Sequence, residues 1–349
     1  MTFSLKRVSA GIAVTAVAAM TLAGCADTGS GDSGSGSDDG GAAASGDVSI
    51  TLLPKNLGNP YFDASEVGAS AAAEDLGAEF EQVGPTEATP DGQVSYINTA
   101  AQQGRSALLV AANDPNAICD ALNEARDAGT KVVTFDSDTS ADCRDLFINQ
   151  ADAAGIAKVQ GDLIAEQIGE EGEVAILSAT ANATNQNAWN EAFIEYVNET
   201  YPDIEVIDTV YGDDEDQKSF DQTASLLQSN PDLKGIVSPT TVGLAAAARY
   251  ISDSDAKGEV ALTGLGTPNQ MREFIEDGTV TAFALWNPED LGTLAAYAAG
   301  ALVAGDIEGA EGDTFTAGDL GEFTVGADGV VLLGDPFVFD ADNIGDFDF

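Results

Sequence analysis

The sequence contains no histidine, and this absence removes the side chain that most often serves as a general base or as a zinc ligand. It also lacks the G-x-x-x-x-G-K-S/T loop that binds nucleotide phosphates. Gly264-Leu265-Gly266 begins like a dinucleotide-binding loop but is not followed by the third glycine. We therefore expect no catalytic residue, no metal and no cofactor, and carboxylates are the only bases that an enzyme could use.

Basic residues are scarce, with 13 Lys and Arg against 59 Asp and Glu and a formal net charge of −46. Such a surface repels the phosphate backbone, so the composition excludes nucleic acid as a partner. Hydrophobic residues make up 44% of the chain, which is enough for a folded core. The densest acidic run, Asp213-Asp214-Glu215-Asp216, lacks the spacing of a calcium-binding loop. We interpret it as a solvated acidic turn.

Long apolar runs are absent except near the N-terminus, where Val8 to Leu22 follows two basic residues. This run is too short to span a membrane and is typical of a signal peptide. Leu22-Ala23-Gly24-Cys25 resembles the lipobox of bacterial lipoproteins. We expect residues 1–24 to be removed, Cys25 to carry lipid and residues 25–46, rich in Gly, Ser and Asp, to form a flexible tether. The alternative is an unmodified signal peptide with a chance cysteine.

Cysteine is also rare, with three in the chain. Lipidation of Cys25 would leave Cys119 and Cys143 as an even pair in an oxidising, extracytoplasmic compartment. We expect them to form a disulfide, which would close a loop of about 25 residues and contribute roughly 3.5 kcal/mol on the chain-entropy estimate. Two buried free thiols are the alternative. The protein is then expected to be tied to the outer face of the cell membrane through Cys25.

After the tether, apolar runs alternate with helical patterns, which predicts βαβ units, parallel sheets and right-handed crossovers. About 300 ordered residues exceed one comfortable core, so an α/β fold with two lobes is expected. The first set of predicted strands is Val48–Leu53, Glu79–Val83, Ala107–Ala112, Val132–Phe135 and Leu146–Ile148; the second is Val174–Leu177, Val206–Val210, Ile236–Val237, Val260–Leu262 and Val280–Leu285.

Ligands of parallel sheets bind outside the carboxyl ends of the strands. The residues at these predicted ends are rich in carboxylates, amides, hydroxyls and aromatic rings, but they include one cation, Lys55. Aromatic faces suit the apolar C–H groups of a sugar, while amides and carboxylates suit its hydroxyls. The composition of these ends therefore predicts the binding of a neutral polyol rather than catalysis.

Several motifs resemble the type I periplasmic sugar-binding proteins of ABC transporters, over residues 47–349. "NLGNPYF" resembles the loop after the first strand of that family, and "VVTFDSD" resembles the end of its fourth strand. "NQNAW", "GLGTPNQMREFIEDGTVTAFALWNPEDLG" and the tail "NIGDFDF" resemble the subfamilies that bind rhamnose and autoinducer-2. A transcriptional regulator of the same fold would need a helix-turn-helix before the first strand, where this chain has the signal peptide and tether.

The resemblance implies two Rossmann-like lobes with parallel sheets, joined by a hinge of three crossovers. The expected crossovers lie near Gln150, near Asn287 and within residues 313–335. It also implies an extracytoplasmic protein that delivers its sugar to an ABC permease, and we expect a monomer. The expected division is residues 47–149 plus 288–312 for the N-terminal lobe, and residues 150–287 plus 313–349 for the C-terminal lobe and the hinge return.

The resemblance further implies a set of ligand-binding residues. Asp138 could instead cap a turn, Asn185 could cap a helix, and Trp286 could only pack between the lobes. Of the adjacent Tyr61 and Phe62, we expect one to face the core and one to face the cleft. The implied set is Lys55, Asn59, Tyr61, Phe62, Asp136, Asp138, Asn185, Gln186, Pro239, Thr241, Trp286 and Asn287.

Two positions bear on the identity of the ligand. Asn185 stands where the autoinducer-2 receptors have aspartate, and Thr241 stands where they have alanine. An amide loses the charge-assisted acceptor that a carboxylate provides, and both residues match the rhamnose-binding branch. The sequence therefore favours rhamnose, with autoinducer-2 or another monosaccharide such as ribose as alternatives.

Overall fold

The structure is a computed structural model, and it describes residues 48–349. The predicted signal peptide, the tether and Cys25 lie outside the described residues. In residues 48–349, no helix has both the length and the apolar character needed to cross a membrane.

Strands and helices alternate along the described chain, as the hydrophobic pattern predicts. The strands are β1 Ser49–Leu53, β2 Glu79–Gln82, β3 Ala107–Val110, β4 Lys131–Phe135, β5 Leu146–Asn149, β6 Gly172–Ser178, β7 Ile204–Tyr211, β8 Leu233–Ser238, β9 Ala261–Gly264, β10 Ala282–Leu285, β11 Thr314–Thr316, β12 Glu322–Thr324, β13 Val330–Leu332 and β14 Phe337–Asp340. The helices are α1 Pro60–Asp75, α2 Pro90–Gln103, α3 Cys119–Asp127, α4 Ala153–Ile168, α5 Thr184–Thr200, α6 Asp216–Ser229, α7 Thr241–Ser252, α8 Pro268–Glu276 and α9 Pro288–Ala304.

Two parallel sheets form the framework. The first has the order β13-β5-β4-β3-β1-β2 and the second has the order β7-β6-β8-β9. Strands β1 and β3 are buried along their whole length, which explains why their sequences are continuous apolar runs rather than alternating patterns. Because the strands of each sheet are parallel, their carboxyl ends share one edge, and the loops that follow them lie together.

Helices α1 and α9 approach closely enough that both need glycine at the contact. A Cβ atom at Gly68 would lie 1.9 Å from the backbone oxygen of Glu289, and one at Gly292 would lie 1.9 Å from that of Ser65. Helix α9 follows β10 and packs against α1, a helix of the first sheet. The chain therefore returns to the first sheet at this contact. The same contact fixes the N-terminal ends of both helices next to each other.

The fold has two halves, each of which contains one of the two parallel sheets, and the C-terminal tail divides between them. Strand β13 pairs with β5 in the first sheet, while β14 pairs antiparallel with β10. The expectation that residues 313–349 belong with the second lobe and the hinge return therefore does not hold for Val330–Leu332. Without β13, β5 would be the edge strand of the first sheet and would leave a row of backbone groups unpaired. Strand β13 pairs with these groups. The remaining lobe boundaries stay a prediction.

The chain passes between the halves after β5, after β10 and after β13, as the expected hinge requires. Two of these passages run side by side. The N–H of Leu333 donates to the oxygen of Asn149 (2.8 Å), and that of Gly334 donates to the oxygen of Gln150 (3.3 Å). These hydrogen bonds hold two of the three connecting segments together.

Cys119 and Cys143 are linked by a disulfide, with their Cα atoms 5.2 Å apart. It joins the first residue of α3 to the short 3-10 turn Ala141–Cys143, which precedes β5. The bond therefore fixes the loop between β4 and β5 to a helix of the first sheet.

The α1–α9 contact can be tested at Gly292. We expect Gly292→Ala to lower the free energy of unfolding by about 1 to 3 kcal/mol, because the added methyl must displace the backbone of α1. Urea denaturation followed by circular dichroism measures the change.

Gly155→Ala in α4 is the matched control, because a Cβ atom there meets nothing closer than 3.9 Å. Its helix propensity should stabilise the protein by up to about 1 kcal/mol. If both variants gain stability, the close approach of α1 and α9 does not constrain the fold.

Candidate functional site

A pocket lies where the strand ends of the two sheets face each other. It contains about 350 Å³ of space that protein atoms leave free, part of it open to solvent. The pocket is lined by Lys55, Asn59, Tyr61, Phe62, Asp136, Asn185, Gln186, Trp189, Asp214, Pro239, Thr240, Thr241, Leu265, Leu285 and Trp286.

An ion pair lies at the centre of the polar side of the pocket. The Nζ atom of Lys55, just after β1, is 3.3 Å from Oδ2 of Asp136, just after β4, and both side chains are at least 93% buried. Lys55 also donates to Oδ1 of Asn185 at 3.2 Å. Either charge would be costly to bury without a partner. In this pair each charge offsets the other.

Asn185 connects the two halves across the pocket. It lies in the first turn of α5, after a strand of the second sheet, yet its Nδ2 donates to the backbone oxygen of Asp136 (3.2 Å) and to Oδ2 of Asp136 (3.3 Å). Its Oδ1 also accepts from the backbone N–H of Gln186 at 2.9 Å. Asn185 thus makes a local bond of the helix-capping kind and, in addition, contacts the charged centre.

The backbone at Asp136 has φ +60°, in the left-handed region that a residue other than glycine rarely adopts. Its carbonyl oxygen accepts hydrogen bonds from Asn185 and from Nε2 of Gln150, the latter at 3.0 Å. These two donors hold the strained turn and thereby fix the direction of the Asp136 carboxylate. Since Gln150 is at a hinge passage, the hinge and the pocket share this carbonyl.

Aromatic side chains form the other wall of the pocket. The Trp286 indole N–H donates to the Tyr61 hydroxyl at 2.8 Å, and the rings of Trp189 and Trp286 have centroids 5.7 Å apart. The pKa of Tyr61 lies well above its ordinary value, because burial and the Asp136 charge both disfavour the phenolate while the Trp286 hydrogen bond opposes them. Tyr61 therefore presents a neutral hydroxyl at neutral pH.

Both Tyr61 and Phe62 line the pocket, whereas we expected only one of them to do so. The pocket faces the first turn of α1, where two successive side chains can flank the same space. Phe62 also contacts the buried Phe135, with centroids 6.2 Å apart, so it serves the core as well.

Two residues of the predicted set do not line the pocket. The Asp138 carboxylate binds Arg144 through both oxygens, at 2.6 Å and 2.8 Å, and accepts from the backbone N–H of Thr139. Asn287 caps α9 by accepting from the N–H of Glu289 at 2.9 Å. Asn59 lines the pocket, but its Oδ1 caps α1 at Tyr61. The other predicted ligand-binding residues all line the pocket.

Five residues of the lining are absent from the predicted ligand-binding set: Trp189, Asp214, Thr240, Leu265 and Leu285. Asp214 is the most consequential, because we interpreted its acidic run as a solvated turn. A signal existed, since Asp214 follows β7 and so lies at the carboxyl edge of the second sheet. Thr240 and Leu265 follow β8 and β9 in the same way.

In residues 48–349, no three or more His, Cys, Asp or Glu side chains come together as they would to hold a metal ion. The pocket offers instead one ammonium group, two carboxylates, two side-chain amides beside Asn59, three hydroxyls and apolar rings. These groups can bind a polar molecule through many hydrogen bonds.

The family model described as a periplasmic binding protein domain matches residues 50–307. The chain belongs to the periplasmic binding protein family. The predicted type I fold with parallel sheets is thereby confirmed, and so is its place among the sugar-binding proteins of ABC transporters rather than among enzymes. Membership of this family also implies an extracytoplasmic location.

Three solved structures are similar to this binding protein. A sugar ABC transporter protein from Actinomyces odontolyticus is 55% identical, with a TM-score of 0.71, over 86% of this chain and 98% of that chain. An ABC transporter solute-binding protein from Clostridium phytofermentas, with bound L-rhamnose, is 38% identical, with a TM-score of 0.83, over the same shares. LsrB from Clostridium saccharobutylicum, in complex with AI-2, is 26% identical, with a TM-score of 0.82, over 86% of this chain and all of that chain.

Proposed function

We propose that this binding protein captures L-rhamnose between its lobes and delivers it to the permease of an ABC importer. The observation that carries the proposal is the pocket at the facing strand ends, where Asn185 and Thr241 stand beside the Lys55–Asp136 pair. The relative solved with L-rhamnose is 38% identical, and the relative solved with AI-2 is 26% identical.

The charges of the pocket favour a neutral ligand. Lys55 is already paired with Asp136, so it is not free to neutralise a phosphate or a carboxylate of a ligand. An anion would also meet the second carboxylate, Asp214. A neutral sugar avoids this repulsion, since its hydroxyls can donate to the carboxylates and accept from Lys55.

The apolar residues of the lining favour a deoxy sugar. Rhamnose is a 6-deoxyhexose, so one end of the ring carries a methyl group in place of a hydroxymethyl group. Leu265, Leu285 and Trp189 offer apolar contact for that methyl. A hydroxyl placed against them would lack a partner, which is the kind of loss by which binding sites reject hydroxylated analogues.

Binding is coupled to closure because the polar groups come from both halves. Lys55 and Asp136 follow strands of the first sheet, while Asn185 and Thr241 follow strands of the second. A ligand that contacts both sets stabilises the closed form by the difference between its affinities for the two forms.

We propose residues 47–149 plus 288–312 as the core of one lobe and 150–287 as the core of the other. We also propose that the protein acts as a monomer, since one chain supplies the whole lining.

Asp136→Ala tests the site. We expect the affinity for L-rhamnose to fall roughly ten- to a hundred-fold, or about 1.5 to 3 kcal/mol, because sugar hydroxyls and Lys55 lose their acceptor. Isothermal calorimetry gives the affinities.

Asp127→Ala, which removes an exposed aspartate at the end of α3, is the control and should bind as the wild type does. Unchanged affinity in Asp136→Ala would show that the sugar binds elsewhere.

The double variant Asn185→Asp with Thr241→Ala tests the ligand assignment. It restores the carboxylate and the smaller side chain of the autoinducer-2 receptors, so we expect it to lose affinity for L-rhamnose and gain affinity for autoinducer-2. The measurement is calorimetry of wild type and variant with L-rhamnose, autoinducer-2 and D-ribose. If the wild type binds autoinducer-2 with micromolar affinity and gives no signal with L-rhamnose, the assignment of L-rhamnose as the ligand is wrong. The proposal that the protein is a binding protein would still stand.

We also propose that lipid on Cys25 ties the protein to the outer face of the membrane, with residues 25–46 as the tether. Support comes from the lipobox-like Leu22-Ala23-Gly24-Cys25. Cys25→Ala should move the protein from the membrane fraction to the soluble fraction, as followed by immunoblotting of fractionated cells. Asn343→Ala, far along the chain from the anchor, should leave fractionation unchanged. Retention of the Cys25→Ala protein on membranes would mean that another feature holds it.

A further inference from the structure

Asp214 is a second carboxylate of the pocket with a free acceptor atom. Its Oδ1 accepts a hydrogen bond from the Thr240 hydroxyl at 2.6 Å. Its Oδ2 makes no hydrogen bond and no ion pair with any of residues 48–349, although the side chain lines the pocket. Asp136 follows β4 of the first sheet and Asp214 follows β7 of the second, so the two carboxylates come from opposite halves of the fold.

The turn that carries Asp214 is held in an unusual conformation. Asp213 and Asp214 have φ values of 56° and 54°, so two successive residues other than glycine lie in the left-handed region. The turn is fastened to the end of β6 by bonds from the N–H of Gly212 to Ser178 and from the N–H of Asp213 to Ala179, both 2.9 Å. Asp213 pairs with Lys218 away from the lining. The two aspartates of one turn therefore have different environments, and only Asp214 meets the pocket.

Burial raises the pKa of Asp214, and the charges of Asp136 and Asp213 raise it further. Lys55 and the Thr240 hydroxyl oppose the shift without cancelling it. A carboxyl whose pKa is higher in the folded than in the unfolded protein lowers stability at any pH at which it is ionised in both states. Asp214 thus costs stability at neutral pH, and a hydrogen bond from a ligand to Oδ2 would offset part of that cost.

We propose that Asp214 is a ligand-binding residue that accepts a hydrogen bond from a sugar hydroxyl through Oδ2. The inference rests on the proposed function, since it assumes that the pocket holds a sugar. A sugar that binds Asp136 on one side and Asp214 on the other is bonded to both lobes. Asp214 therefore raises the affinity and also stabilises the closed form. Asp214 also selects for ligands that present a hydroxyl to the second lobe.

The test compares Asp214→Asn with Asp213→Asn, which makes the same chemical change one residue away. Asparagine keeps the shape and can still accept from Thr240, but it removes the charge. We expect Asp214→Asn to weaken L-rhamnose binding roughly five- to ten-fold in calorimetry, because a charge-assisted hydrogen bond becomes a neutral one. Asp213→Asn should bind within about two-fold of the wild type, because Asp213 pairs with Lys218 away from the pocket lining.

Stability without ligand separates a binding role from a structural one. Thermal unfolding of ligand-free Asp214→Asn should occur at the same temperature as that of the wild type or at a higher one, because a partly buried charge is removed. A residue that only supports the turn would lower both the unfolding temperature and the affinity. A lower unfolding temperature or a loss of cooperative unfolding in Asp214→Asn therefore contradicts the proposal.

The dependence of affinity on pH gives a third measurement. The ionised carboxylate accepts the bond, so wild-type affinity should fall as the pH is lowered through the raised pKa of Asp214. Asp136, Lys55 and Asp213 also face this group, so part of the dependence remains in Asp214→Asn. Asp213→Asn should keep the fall in affinity at low pH, because Asp214 still titrates, but at a lower pH, because the Asp213 charge no longer raises the pKa of Asp214. A profile in Asp214→Asn that matches the wild type contradicts the assignment.

The outcomes distinguish failure of this inference from failure of the proposed function. If the wild type binds L-rhamnose and Asp214→Asn binds it equally well, the inference alone is overturned. If the wild type binds only D-ribose or autoinducer-2, L-rhamnose is overturned as the ligand, and the role of Asp214 is overturned too if Asp214→Asn binds that other ligand as tightly as the wild type does. If the wild type binds none of the three, both the proposed function and the role of Asp214 are overturned.

Discussion

The buried ion pair between Lys55 and Asp136, bridged by Asn185, is the interaction on which the pocket depends. Neither charge is tolerable alone at this depth, so the two strand ends that carry them must stay together. Asn185 extends the pair to the second half of the fold. The hydrogen bond from Gln150 to the Asp136 carbonyl then ties the same turn to a hinge passage. The pair is therefore linked both to the lining of the pocket and to one of the passages that connect the halves.

The rest of the structure serves to hold these strand ends at a fixed distance. The fully buried β1 and β3 fix Lys55 in the first sheet, and the glycine contact between α1 and α9 fixes the helix ends that carry Tyr61 and Phe62. Trp286, which precedes α9, closes the aromatic wall through its bond to Tyr61. Strands and helices thus position the side chains that line the pocket, and three passages of the chain connect the two halves.

Asp136 and Asp214 show how the pocket departs from what stability alone would favour. One carboxylate is paired with Lys55, while the other is held by a strained turn and a single threonine. Both adopt left-handed backbone conformations, which concentrate at functional sites because the surrounding structure supports the strain. The overall charge of −46 makes further carboxylates easy to overlook, yet these two differ from the others by their place at the pocket.

The sequence by itself determined the α/β class and most of the pocket, because buried parallel strands are continuous apolar runs whose ends can be read directly. Lys55, Asp136, Asn185, Gln186 and Thr241 follow from that rule together with the family resemblance. Only the tertiary structure decided that Asp138 turns to Arg144, that Asp214 reaches the pocket and that β13 joins the first sheet. These outcomes depend on the φ angles of single turns and on partners distant in the chain, such as β5 for β13. A local pattern of residue types carries no record of either.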